Sequence, residues 1–206
     1  MKPRTILAGL AVIAIIAILY YTMGSNASRE QYASQITKER EDKDHYMQTS
    51  AESPFSGLSE SFRTLNYFPP AEKYRVIATL RPIEERKVRT LATSDGKEQR
   101  YLEYAWAEFD LDDRKNRLLI LEIMERGPDQ GTLFLAFGDQ TSAGETYGAG
   151  RYLDIKKMPG SPTVELDFNK AYNPYCAYNE TYSCPLPPAE NLLDVAIRAG
   201  EKNYKQ

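Results

Sequence analysis

The side chains of this 206-residue chain that could do chemistry gather between positions 139 and 202. Asp139 and Glu145 stand within a stretch carrying the hydroxyls of Thr141, Ser142 and Thr146, and Arg151 follows. Carboxylates of this kind, with Asp167, could serve as acid and base in hydrolysis while the arginine holds an anion. Gly138, Gly144, Gly148 and Gly150 permit positive φ and close approach of a ligand to backbone amides. The competing reading is structural: a Gly-rich hairpin whose Arg151 pairs with Asp139 or Glu145 and whose Tyr147 and Tyr152 cap a core. The stretch is not a phosphate loop, because the G-K-[ST] ending is absent. There is no G-x-S-x-G and no H-E-x-x-H, and the single histidine, His45, lies in the charged run Asp44-His45-Tyr46. No catalytic residue can be assigned on this basis.

The two cysteines, Cys176 and Cys184, close a short loop in a segment dense in Tyr, Pro and Asn. A disulfide is the natural reading for an exported domain. The chain-entropy model gives it about 2.6 kcal/mol for a loop of about nine residues. A reduced, buried pair is the alternative. Two cysteines and one distant histidine make a poor zinc set, so no metal and no cofactor is expected. The formal net charge of −3 and the lack of a basic stripe carry no nucleic-acid signature.

Several elements must position these groups. Residues 6–23 read ILAGLAVIAIIAILYYTM, 18 uncharged residues preceded by Lys2 and Arg4. That length nearly spans a hydrocarbon core of about 30 Å, and the leading positive charge holds the N-terminus inside. Residues 1–27 are therefore expected to be a cytoplasmic tip and transmembrane anchor. The alternative is a signal peptide cleaved near Ser25-Asn26-Ala27. In either case the rest lies in the periplasm or outside the cell. Residues 28–69 read as a helical, membrane-proximal segment: Tyr32, Ile36 and Met47 line one face, and Leu58, Phe62 and Leu65 suggest a second short helix.

From residue 70 to 206 the period shortens to two. YRVIATL, KVRTLAT, RYLEYAWAEF, RLLILEIM, TLFLAF, GRYLDI and VELDF alternate with turn signals such as Ser94-Asp95-Gly96-Lys97 and Asp112-Asp113. The fold class expected is mainly β, an antiparallel barrel or sandwich preceded by helix and one membrane span. The core should draw on Val76, Ala78, Leu80, Tyr104, Trp106, Leu119, Leu121, Leu133, Leu135, Val164, Leu166, Val195 and Ile197. The tail LLDVAIRAGEK fits a strand through Leu193, Val195 and Ile197, although Leu192, Val195, Ala196 and Ala199 also fit a helix face.

Two stretches resemble a known family. Residues 138–153, GDQTSAGETYGAGRYL, are similar to a motif F-x-D-x-T-S-G-x-E-T-Y-G-x-G-R-Y, with Ala143 where the motif has Gly. Residues 166–202, LDFNKAYNPYCAYNETYSCPLPPAENLLDVAIRAGEK, are the second, with Asp194 where many relatives have Pro. Together they resemble the bacterial and archaeal domain of unknown function 1684, over about residues 38–202. The resemblance implies a shared fold and, in some relatives, export; it implies no activity. Relatives without an export signal carry the same two cysteine positions, which keeps the reduced pair open as the lesser alternative to the disulfide.

If GRYLDI and VELDF are joined by the turn KKMPGSP as antiparallel neighbours, the two family-like stretches leave one edge of the sheet together. Asp139, Glu145, Arg151, Tyr152, Asn169, Tyr172 and Asn173 then form one polar, ligand-binding cluster. The function expected is a membrane-tethered, non-catalytic module whose tyrosines (Tyr147, Tyr152, Tyr172, Tyr175, Tyr178, Tyr182) bind an envelope protein or glycan. The alternative is a carboxylate-dependent hydrolase using Glu145, Asp167 or Asp139.

Overall fold

The computed structural model describes residues 27–57, 62–125, 127, 129–156 and 160–204. The chain divides into two units, Met1–Arg40 and Glu41–Gln206. The expected span at residues 6–23 lies outside the described residues, as does the anchor-or-signal question. Among the described residues no helix is long and apolar enough to cross a membrane. Helix α1 covers residues 27–49. Its first-unit part has a solvated face, where Gln35 bonds Glu39 at 3.0 Å and Thr37 Oγ1 donates to Ala33 O at 2.9 Å, while Tyr32 and Ile36 are buried. In the second unit Met47 packs against Leu65 and Tyr178. Of the expected second helix, residues 62–66 are irregular, and Leu58 lies outside the described residues. Leu65 N–H there donates to the Asp44 carboxylate at 3.1 Å, which takes the place of a helical bond.

Among the described residues seven strands form one antiparallel sheet: β1 (Arg75–Pro82), β2 (Val88–Ala92), β3 (Glu98–Leu111), β4 (Arg114–Ile123), β5 (Leu133–Phe137), β6 (Arg151–Ile155) and β7 (Thr163–Asp167). The order is β6-β5-β4-β3-β1-β7, with β2 also on β3. The sheet curls until its end strands β6 and β7 touch, giving a half-barrel rather than two packed sheets. The β3–β4 hairpin turns at Asp112 and Asp113, both at positive φ (50° and 58°), as a tight two-residue loop between twisted strands requires.

The concave face holds the main core, including Ala107, Phe109, Leu118, Ile120, Leu135, Phe137, Leu153, Leu166 and Phe168. Of the expected core residues, Ala78, Leu135, Val164, Leu166, Val195 and Ile197 are buried there, with Val76, Leu80, Tyr104 and Leu133 packed at its margin. Trp106, Leu119 and Leu121 belong instead to a second cluster with Leu91 and Tyr101. Leu119 and Leu121 simply take the opposite face of β4 from Leu118 and Ile120. For Trp106 a bulge is the cause. Glu103 faces Leu121 and Ala105 faces Ile120, which leaves Tyr104 as an extra residue and shifts the alternation of β3 by one.

Two expectations about pairing are corrected. β6 pairs with β5 and β7 with β1, so GRYLDI and VELDF are not hydrogen-bonded neighbours. Curling of the sheet, not a hairpin, brings them together. The tail 192–200 is no strand, although Leu193, Val195, Ile197 and Ala199 alternate inward as a strand would. Its backbone bonds to side chains and loops, as described next.

Candidate functional site

The loop after β5 carries Asp139, and β6 begins with Arg151, whose side chain is almost wholly enclosed. Arg151 Nη2 donates to Asp139 Oδ2 at 2.8 Å and to Ile197 O at 2.9 Å. Nη1 donates to Ala199 O, and to Glu201 O at 3.2 Å. Three alternate carbonyls of the tail thus meet one guanidinium, which takes the place of a neighbouring strand. The other oxygen of Asp139 accepts from Thr141 N at 2.8 Å, Thr141 Oγ1 at 2.6 Å and Ile197 N at 3.2 Å. Burial pulls the Arg151 pKa down, and the Asp139 charge opposes that. An enclosed guanidinium needs such partners, and this one has spent its hydrogen bonds on the protein.

A second buried node was missed by the sequence reading. Glu201 is fully buried and accepts from the Tyr178 hydroxyl, from Asn173 Nδ2 at 2.9 Å and from Asn173 N at 3.2 Å. Lys43 Nζ, from α1, completes it at 3.1 Å. Burial first, then the Glu201 charge, pushes the Tyr178 phenol well above its ordinary pKa. Nothing in sequence spacing links Lys43 to Glu201, 158 positions apart.

The expected seven-residue cluster therefore divides. Asp139 and Arg151 are joined. Asn173 reaches them through Glu201. Asn169 serves the backbone elsewhere, accepting from Ala71 N at 2.8 Å and donating to Ala71 O at 2.9 Å. Glu145 is exposed and pairs with Arg198 at 2.8 Å rather than with Arg151. Asp167 accepts from Asn169 N at 3.1 Å. The three carboxylates of the hydrolase reading thus have three separate sets of partners. Tyr152 is buried, its hydroxyl donating to Pro185 O at 2.7 Å, and its backbone bridges to Tyr172.

Tyr46, Tyr147, Tyr172, Tyr175 and Tyr182 remain partly open to solvent. All but Tyr46 pack on one cluster built from Ala136, Tyr152, Cys176 and Cys184. Tyr175 and Tyr182 meet edge to face at 5.3 Å, and the hydroxyls of Tyr46 and Tyr175 lie 3.2 Å apart. Lys43 Nζ sits 4.5 Å over the Tyr172 ring, whose hydroxyl donates to Asp154 at 2.7 Å.

The expected disulfide is not formed: Cys176 and Cys184 are free, buried thiols. Cys176 N–H donates to Cys184 Sγ at 3.2 Å, so the two are held side by side without a covalent bond. Among the described residues no group of three or more His, Cys, Asp or Glu could hold a metal ion. Two open grooves lie elsewhere. One of about 570 Å³ is lined by Arg81, Glu108, Lys115 and Arg117 among others, and one of about 470 Å³ by Leu80, Ile83, Tyr104 and Pro162 among others. Neither touches a predicted site residue.

The family model described as protein of unknown function (DUF1684) matches residues 60–202. The chain belongs to this family. The match starts later than the residue 38 expected from resemblance. The solution NMR structure of the uncharacterized protein from gene locus rrnAC0354 of Haloarcula marismortui is similar, with 35% identity and a TM-score of 0.65. It covers 87% of this chain and 98% of that one. None of the curated proteins matches.

The two motif stretches of this DUF1684 chain meet at Arg151, where the first binds the carbonyls of the second. Ala143, in place of the motif's Gly, adopts φ 62°, a conformation that glycine takes without strain.

Proposed function

We propose that this protein is a membrane-tethered, extracytoplasmic, non-catalytic module whose tyrosine face binds an envelope glycan. The observation that carries this reading is the patch of Tyr46, Tyr147, Tyr172, Tyr175 and Tyr182. Its members are partly open, the Tyr172 hydroxyl bonds Asp154, and Lys43 lies over the Tyr172 ring. Sugar rings present apolar C–H faces and a rim of hydroxyls. Aromatic faces stack on the former, and phenols, an ammonium and a carboxylate bond the latter. The rings brace one another through the Tyr175–Tyr182 contact, so little side-chain freedom is lost on binding. Tethering by residues 6–23 would keep the patch among envelope polymers.

Calorimetric titration of the full chain with soluble peptidoglycan fragments tests the binding. Truncating one central ring should weaken it about 5- to 30-fold, the equivalent of roughly 1–2 kcal/mol. Equal affinity for wild type and Tyr175→Ala, or no heat at all, would reject the glycan. Protease added to intact spheroplasts tests the tether, and a domain that stays protected would reject that part.

A further inference from the structure

We propose that Cys176 and Cys184 are a thiol–disulfide exchange centre, with Cys176 the attacking sulfur and Cys184 the resolving one. Its substrate is a disulfide of small thiols or of another protein. The inference is independent of the glycan reading.

Two separately anchored segments bring the sulfurs together. Cys176 lies in a tight turn, Tyr175–Ala177, closed by Tyr178 N–H and Asn179 N–H on Tyr175 O, each at 3.0 Å. Cys184 is fastened to the β2–β3 turn. Its N–H donates to Ser94 Oγ at 3.1 Å, and its carbonyl accepts from Ser94 N at 2.8 Å. The loop between them is thus folded with both thiols free, so a covalent link is not what builds it. The Cys176 N–H bond to Cys184 Sγ at 3.2 Å holds the pair in register.

The surroundings distinguish the two sulfurs. Tyr147 Oη lies 3.7 Å from Cys176 Sγ. The thiol of Cys184 donates to Cys176 first of all, with Ser94 and Tyr147 adding to it, and the pKa of Cys176 falls to about 6. Cys184, the donor, is pushed up. A thiolate near ambient pH is the more effective attacking group, and a neighbouring thiol eight positions on is a ready resolver.

The chemistry balances. Cys176 thiolate attacks one sulfur of R–S–S–R, forming the Cys176–S–R bond and expelling RS⁻. Cys184 passes its proton to that thiolate, and its sulfur attacks Cys176 Sγ, expelling the second RS⁻, which takes a proton from water. Two protein thiols are oxidised to one disulfide, and R–S–S–R is reduced to two RSH.

The test equilibrates purified full-length protein with oxidised and reduced glutathione, traps free thiols with N-ethylmaleimide and maps peptides without reduction. The expected result is loss of both trappable thiols and a Cys176–Cys184 cross-link that excess reduced glutathione reverses. With Cys184→Ser a glutathione adduct should build up on Cys176, and with Cys176→Ser it should form more slowly on Cys184. Protein unfolded in urea, where the same cross-link forms, shows that the reagents are competent. Thiols that stay trappable in the native protein, an irreversible cross-link, or a faster adduct on Cys184 would overturn the proposal.

Discussion

Replacing Arg151 by Met keeps most of the buried stem and removes the guanidinium. Asp139 then loses its ionic partner, and the carbonyls of Ile197, Ala199 and Glu201 lose their donor. The enclosing groups are almost completely buried, 1% exposed on each side of the pair, so water cannot substitute without opening the tail. Removing one member of a buried pair costs about 3–5 kcal/mol. For a domain of this size that is a fall in Tm of about 6–20 °C. Urea unfolding followed by circular dichroism gives the free energy, and a thermal scan gives the shift. Detachment of the tail should also speed proteolysis after residue 190. A variant whose Tm stays within a degree or two of wild type would refute the reasoning, because Arg151 would then not be holding the tail.

Asn191 is fully buried, accepting from Leu119 N at 2.7 Å and donating to Leu119 O and Ala136 O, where β4 and β5 have parted. Asn191→Leu should cost about 3 kcal/mol in urea unfolding, since each orphaned buried group costs roughly 1–3 kcal/mol. Gly200 has φ 73°, and a Cβ there would lie 2.5 Å from Ala171 O and 2.7 Å from Phe168 O. Gly200→Ala should therefore lose at least about 2 kcal/mol, because left-handed strain adds to a clash with backbone that cannot swing away. Hydrogen bonds depress the Cys176 pKa to about 6, so its thiolate persists into mild acid. Its native alkylation rate by iodoacetamide should fall as pH drops through about 6, and that of the urea-unfolded chain through roughly 8.5.

Much of the sheet was legible because its signals are local. The Ser94-Asp95-Gly96 and Asp112-Asp113 turns specify their own φ angles, and each β strand here begins within a few residues of its apolar alternation. The bulge at Tyr104 was not legible: one unpaired residue moves Trp106 to the other face, and no residue type announces it. The tail misled for a related reason. Its inward alternation is that of a strand, but its partners are the Arg151 and Asp139 side chains, and periodicity reports burial rather than who fills the hydrogen bonds. The Arg151–Asp139 pair could be anticipated because a buried guanidinium demands a carboxylate nearby in the same loop. Glu201 with Lys43 could not, since both are common surface residues whose meeting depends on where α1 packs.

The central claim is that the buried polar residues hold the shape while the tyrosine face does the binding. Co-sedimentation of the full-length protein with purified peptidoglycan separates the two most directly. It compares the Tyr175→Ala/Tyr182→Ala double variant with Glu145→Gln, which alters an exposed member of the expected polar cluster. Folding of both is checked by thermal scan. The account predicts that the double variant stays in the supernatant while Glu145→Gln pellets as wild type does. A folded double variant that still pellets, with Glu145→Gln released, would contradict it.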